Sequence, residues 1–524
     1  MRLRLRLVGC PLLSSPIVRA FHHSHPRPNE PPIFENSLEK TLEVHRSVNR
    51  QSLIRKIPFD SSSHSDRDDE PRRSAASQAQ STPDSQSSAR KLIKEEASRK
   101  AKPRKRKLEV ADLSSNSFYR PVDWSAKNDE PGQCPWLDKI DPGRTFATGL
   151  SQLDAEVRAV EEYLSTTIKE NMVVCRVLSE IYSILRETIP HEGFEVIGSR
   201  RTKFAMGHSD LNISFVLPDP VWSIDRTRMP SASRPESLRK YRRTLQIFGD
   251  HLSRFPDYRY LRLSKLSGYE TATFLHQPTG LQIQVSCSEG STTYVEYIMD
   301  FQAEYPQLRP LYMVTRLMLE SKGLFGSSAG SLDPLALQML IVAFLKMTHG
   351  RFKRTGGCGE PLLKFLEFFG TDVDLSSAGI AVDPPGFFNA DYLKQASRFP
   401  ELDASAHIRG QRALINAKKS AAASGNEFLA KRLCLQDPTN YMSDLGGRCI
   451  RTPELGVAFA DSYQRLTSAL DAWEPSTQGR PVTSLLRSIV RADFGDFESR
   501  RASIVDADWT CPIQRRSSAS GKTT

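Results

Sequence analysis

The sequence predicts a small mixed α/β unit followed by an α-helical domain, and three observations carry that expectation. Short β-patterned runs (Phe194 to Ile197, Leu211 to Leu217, Leu281 to Cys287) follow two helical segments in the middle of the chain. Beyond them the pattern turns helical, through PQLRPLYMVTRLMLESKGL, SLDPLALQMLIVAFLKM and EPLLKFLEFFG. The composition has room for both parts: 524 residues, 39% hydrophobic and 25% charged, allow two or three domains and a sizeable core.

Composition also removes several function classes. The eight cysteines are too few and too scattered for a disulfide framework, and no C-x-x-C pair suggests zinc. The longest apolar run, Pro334 to Met347, contains Gln338 and falls short of the roughly 20 residues that span a bilayer, so it reads as a buried helix. No integral membrane segment is expected. A net charge of +11 favours a polyanionic partner, nucleic acid or a membrane surface.

The elements follow in chain order. MRLRLRLVGCPLLSSPIVRAFHHSH carries Arg2, Arg4, Arg6 and Arg19, with no acidic residue before Glu30. Arginine-rich and acid-free is the composition of a mitochondrial presequence, so residues 1–21 are expected to direct the protein to the matrix, with processing after Arg19-Ala20-Phe21. His22, His23 and His25 read as tail beside that site, not as a metal cluster. Residues 22–142 form a Ser/Arg-rich stretch with almost no apolar periodicity, expected to be a disordered linker. Within it, KPRKRK at the end of the Arg90 to Lys107 block also reads as a nuclear localisation signal, the competing address, and as an RNA-contacting arm.

Folding is expected to begin near Gly143. Val157, Val160 and Tyr163 mark one helix, and Val173, Val177, Ile181 and Ile184 a second. A strand then meets Gly198-Ser199, and further strands lead to the helical half. The boundaries read 143–300 for opening helices and palm, 301–475 for the helical domain, and 476–524 for a C-terminal tail.

From Gly149 to about Leu466 the chain resembles the noncanonical poly(A) polymerases and terminal uridylyltransferases of the DNA polymerase β-like nucleotidyltransferase superfamily. The segments that carry the resemblance, in order, are LDAEVRAVEEYL, VIGSRRTKFAMGHSDLNISF, GLQIQVS, LRPLYMVTRLMLESKGL, GSLDPLAL, EPLLKFLEFFG and DPTNYMSDLGGR. The resemblance implies a nucleotidyltransferase palm, a mixed sheet with helices, followed by an α-helical PAP-associated domain. It also implies attack of an RNA 3′-hydroxyl on a nucleoside triphosphate with two Mg²⁺ ions. Mg²⁺ wants carboxylate oxygens, and two ions clamping the reacting oxygens need dense negative charge.

Of the three carboxylate positions that the resemblance implies, the first is Asp210, but the second is Asn212 and the third Gln284. Asp210 alone is a weak metal site at best, and an amide at 284 cannot accept the hydroxyl proton; losing a general base costs about 10²–10⁴-fold. Asp219 and Glu289 are the carboxylates near enough in sequence to substitute. On the nucleotide side Gly198 and Ser199 are kept, and they also read as a structural turn. The loop's second glycine is Lys203, the triphosphate lysine is Arg316, and the serine and stacking tyrosine fall on Pro334 and Leu335. Proline has no donor for a triphosphate and leucine no aromatic face.

These losses converge on one site while the core pattern persists. The expectation is a catalytically inactive nucleotidyltransferase-like protein in mitochondrial RNA metabolism, an RNA-binding or assembly subunit. It needs no cofactor, and its partners are RNA and a mitochondrial protein. The alternative is an active mitochondrial poly(A) or oligo(U) polymerase using Mg²⁺ or Mn²⁺. Candidate phosphate contacts are Arg239, Lys240, Arg242 and Arg243 on one helix, and Arg351, Lys353 and Arg354 in RFKRTGG.

Overall fold

Thr148 opens the first long helix, α1 (Gly149–Leu164), with a reciprocal capping box: Ser151 N donates to Thr148 Oγ1 at 3.1 Å and Thr148 N to Ser151 Oγ at 3.2 Å. Its stripe of Leu153, Val157, Val160 and Leu164 is fully buried. Helix α2 (Ile168–Thr188) buries Val177, Ile181 and Ile184 on its own stripe. The computed structural model describes residues 122–125, 133–188, 193–217, 235–266, 269–288, 293–326, 330–348, 350–352, 357–475 and 483–509. The presequence, the Arg90 to Lys107 block, Asp219, Glu289, Lys353 and Arg354 lie outside the described residues.

A five-stranded mixed sheet follows. Strand β1 (Phe194–Ile197) pairs antiparallel with β2 (Leu211–Val216). Helix α3 (Pro235–Leu252) precedes the hairpin of β3 (Tyr258–Leu266) and β4 (Tyr269–His276), and β5 (Leu281–Ser288) returns between β4 and β2. The order is β1-β2-β5-β4-β3, with β2 and β5 parallel. Alternation sets two faces. Leu211, Ile213 and Phe215 of β2 and Leu281, Ile283 and Val285 of β5 pack against α2 and against Tyr241, Leu245 and Phe248 of α3. Asn212 and Gln284 therefore stand on the opposite face, side by side in register.

The second core belongs to the helices. α4 (Thr293–Glu304), α5 (Leu308–Ser321), α6 (Pro334–Met347) and α7 (Gly359–Glu367) gather there with α1. Helix α6 is buried without a break from Ala336 to Leu345, the all-round apolar pattern of a central helix. No helix among the described residues is long and apolar enough to cross a membrane. A small sheet that the sequence reading did not foresee interrupts the helices: β6 (Gly379–Val382) lies between β7 (Pro385–Phe388) and β8 (Cys434–Gln436), with α8 (Ala390–Ala396) and α9 (Ala406–Ala423) inserted between β7 and β8. Helix α10 (Thr452–Asp471) then returns to the main core.

Three boundaries need correction. α1 was grouped with the palm in one unit as an opening helix, yet its stripe packs in the helical core, because an amphipathic stripe does not name its partner. Residues 122–125 and 133–140 fall in the expected linker, and residues 483–509 in the expected tail, but both are packed. Trp124 and Trp136 meet Phe494 at ring distances of 5.3 and 5.8 Å, and Tyr163 of α1 meets the same ring at 5.5 Å. The terminal helix α11 (Gly495–Val505) adds Phe497, 5.5 Å from Trp124. Isolated aromatics in polar surroundings make no period, so only the fold shows that they belong together.

Candidate functional site

The parallel pairing of β2 and β5 places Asn212 opposite Gln284, and Asp210 enters just before β2. The three positions expected to meet do meet. Gln284 Nε2 donates to Asp210 Oδ2 at 2.8 Å. An ionised carboxylate only accepts, so the amide must turn its N–H side toward Asp210. Asn212 lies over the glycine-serine turn: a Cβ built on Gly198, whose φ is +69°, would stand 2.8 Å from Asn212 Nδ2. Its Oδ1 is buried without a hydrogen-bond partner. Ser199 begins the single helical turn Ser199–Thr202 beside it, and its carbonyl accepts from Phe204 N at 2.8 Å.

Positive charge surrounds the remaining carboxylate. Burial pushes the Asp210 carboxyl up to about 6, against the Gln284 hydrogen bond and the Arg200, Arg316 and Arg500 guanidiniums, which all pull it down. Burial in turn pulls Arg200 down to about 10, with Asp210 the strongest influence holding it up. Arg200 Nη2 donates to the Ser209 carbonyl, one residue from Asp210. Burial and Arg316, Arg500, Arg200 and Arg501 hold the His208 ring well below its ordinary range, and so neutral. Arg500 and Arg501 arrive on α11, where Arg501 Nε donates to Glu170 Oε1 at 2.6 Å. Sequence reasoning missed Arg200, His208 and α11; the doubled arginine in GSRR was the one visible signal.

The donor set does not suit a pair of divalent ions. Among the described residues it offers one carboxylate, an amide N–H already facing it, one amide oxygen and several guanidiniums. Among the described residues no group of three or more His, Cys, Asp or Glu is placed to hold a metal ion. The nucleotide positions are equally diverted. Arg316, on α5, is buried, its Nε 2.8 Å from Glu320 Oε1 and its guanidinium 5.1 Å from the centre of the Phe325 ring. Pro334 opens α6 in the first helical turn, where proline is tolerated, and Leu335 leans on the main core. Lys203 adopts a left-handed φ of 64°, and its carbonyl accepts from Arg309 Nε at 2.7 Å.

The basic candidates do not gather at this site. Arg239, Lys240, Arg242 and Arg243 lie on α3, which covers the sheet face opposite Asn212 and Gln284. The sequence marked a basic cluster on one helix but not which face of the sheet that helix would cover. Arg242 is also engaged, its Nε 2.8 and 2.9 Å from the two Glu270 carboxylate oxygens. Arg351 is exposed and paired with Glu360.

No family model matches the chain. Over 408 residues it is 21% identical to poly(A) RNA polymerase cid14 of Schizosaccharomyces pombe, a match covering 76% of this chain and 50% of that protein. The chain thus spans about half the length of this curated relative. Among solved structures, the polymerase core of TRAMP, an RNA surveillance complex, superposes with a TM-score of 0.52 at 16% identity, covering 69% of this chain and 100% of that one. mtPAP in its apo form gives a TM-score of 0.49 at 15% identity, over 72% of this chain and 79% of that one. In fold, the described residues resemble the TRAMP polymerase core: a mixed α/β sheet unit joined to a helical domain.

Proposed function

We propose that this protein is a catalytically silent relative of the noncanonical poly(A) and uridylyl polymerases, an RNA-binding or assembly subunit of mitochondrial RNA metabolism. The observation that carries the reading is the direct hydrogen bond from Gln284 Nε2 to Asp210 Oδ2 at 2.8 Å, where the reaction requires carboxylates on both sides of a metal ion. Two dications about 4 Å apart repel by roughly 16 kcal/mol at an effective dielectric near 20, and one carboxylate ringed by guanidiniums does not offset that. With an amide at 284, no side chain there takes the hydroxyl proton. RNA as the partner is supported by the net charge of +11 and by the relative named as an RNA polymerase. The mitochondrial address rests on the acid-free arginine segment before Glu30.

The test is an extension assay on labelled RNA, with each nucleoside triphosphate and either Mg²⁺ or Mn²⁺. No added nucleotides are expected, and extension that disappears on Asp210→Ala would overturn the reading in favour of an active polymerase. A gel-shift measurement on the same RNA reads binding separately. Cell fractionation of the full chain against a version lacking residues 1–21 tests the address, with import of the shortened version the outcome that removes it.

A further inference from the structure

We infer that the Arg200 guanidinium is the built-in counter-cation of Asp210, standing in this palm for the divalent ions of a three-carboxylate site and closing the site to metal. The inference deepens the non-catalytic reading and rests on it.

The geometry fixes Arg200 from both ends. Its backbone lies in the turn after Gly198, where Arg201 N and Thr202 N donate to the Gly198 carbonyl at 3.1 and 3.0 Å. Its side chain folds back so that Nη2 donates to the Ser209 carbonyl, next to Asp210. That carbonyl is itself held in a tight loop: Ser209 N donates to Met206 O at 2.9 Å, and Met206 N to Ser209 Oγ at 2.9 Å. Arg200 Nε is buried and has no hydrogen-bond partner in the protein.

Pairing separates Arg200 from its two neighbours. Arg316 has Glu320 at 2.8 Å and Arg500 has Asp496 at 2.9 Å, so each carries its own compensating carboxylate. Among the described residues Arg200 forms no salt bridge, and Asp210 is the anion with the strongest hold on it. Asp210 in turn takes a neutral donor from Gln284, so its net charge is left for Arg200 to balance. A guanidinium fixed on the Ser209 carbonyl, one residue from Asp210 though outside ion-pair distance of its carboxylate, repels any dication entering at Asp210. Loss of two carboxylates and a cation at position 200 therefore act together, and restoring the carboxylates alone leaves the repulsion in place.

The experiment measures Mn²⁺ binding to the full chain through the electron paramagnetic resonance signal of free Mn²⁺. Asn212→Asp with Gln284→Asp should bind Mn²⁺ weakly, and adding Arg200→Met should tighten binding by about tenfold or more. Equal affinity with and without Arg200 would overturn the inference. A second measurement does not depend on metal: thermal midpoints of Arg200→Met, Asp210→Asn and the double variant, all in the otherwise native chain. The charges are expected to couple, so the double variant should lose clearly less than the sum of the two single losses. Additive losses would overturn the inference and leave the non-catalytic reading standing. RNA extension by the unmutated chain with Mn²⁺ would remove that reading, and the inference with it.

Discussion

Gly198 and Asn212 limit each other. The glycine sits at φ +69°, where an L side chain is strained, and a Cβ there would face Asn212 Nδ2 at 2.8 Å. Gly198→Ala is expected to destabilise by about 1–2 kcal/mol, read as a lower midpoint in chemical denaturation. Adding Asn212→Ala should return only part of the loss, since it relieves the contact and not the backbone. An unchanged midpoint in the single variant would mean that the turn relaxes at no cost. Lys203 shows that this loop tolerates a side chain at a left-handed φ of 64° where its carbonyl is anchored by Arg309. At this scale much was legible in the sequence. Alternate residues share a face of a strand, so Asp210, Asn212 and Gln284 were expected to converge. The orientation of the Gln284 amide was not legible, because it depends on the ionised partner and on the cations brought in by Arg200 and by α11.

One buried carboxylate on α1 clasps the end of the described chain. Glu156 accepts from Leu485 N at 2.9 Å, Leu486 N at 3.1 Å, the Ser484 hydroxyl at 2.5 Å and Gln152 Nε2 at 2.8 Å. Glu156→Ala leaves two backbone donors unpaired in the core, at about 1–3 kcal/mol each. The expected result is a lower thermal midpoint and faster protease cleavage within residues 483–509, with Glu156→Gln milder because its amide oxygen still accepts. Cleavage at the native rate would mean that the aromatic contacts alone hold this segment. Helix α3 supplies a contrasting case. RNA bound on the sheet face of Asn212 and Gln284 leaves α3 untouched, so Arg239→Ala with Arg243→Ala should change RNA affinity less than about twofold, with no change in salt slope. A slope reduced by about 0.7 per residue would place the RNA on the back of the palm. The elements legible in sequence were α1, α2, α5 and α7 by helical pattern, β2 and β5 by strand pattern, α6 by its apolar run, and short β1 by its place before Gly198-Ser199. The β3–β4 hairpin was not, because a bulge between Tyr260 and Arg262 shifts the alternation of β3, and Arg259, Arg262 and Lys265 give it the charge of an edge strand. The three-stranded sheet escaped because its strands are of three or four residues, too short for any period.

At the scale of the whole molecule, folding keeps two histidines of the described residues, His276 and His208, neutral, and their contribution to stability should fall on the acid side. His276 lies at the foot of β4, its Nδ1 2.8 Å from Thr279 Oγ1 and its Nε2 buried without a partner. Tyr258 and Trp509 rings stand 5.0 and 5.1 Å away, and Arg176 from α2 lies over Trp509 at 4.0 Å. Burial first, and then Arg176, lower the His276 ring from 6.5 to about 4. The unfolded chain therefore takes up a proton below about pH 6.5 that the folded chain refuses until about pH 4. The contribution is complete above the first value and is lost as pH falls toward the second, roughly 3 kcal/mol in all. His208, also held neutral, acts in the same sense. Glu180 opposes them: it accepts from Trp509 Nε1 at 2.6 Å and Tyr258 Oη at 3.2 Å, yet burial raises its carboxyl, so its contribution is present below about pH 4.5 and lost as pH rises. Comparison with His276→Gln isolates the ring from these other groups. Between pH 6.5 and 4.5 the native chain should lose up to about 1.4 kcal/mol per pH unit relative to that variant, measured by urea denaturation at each pH. Parallel curves for the two proteins would mean that the ring takes its proton as readily in the folded chain as in the unfolded one.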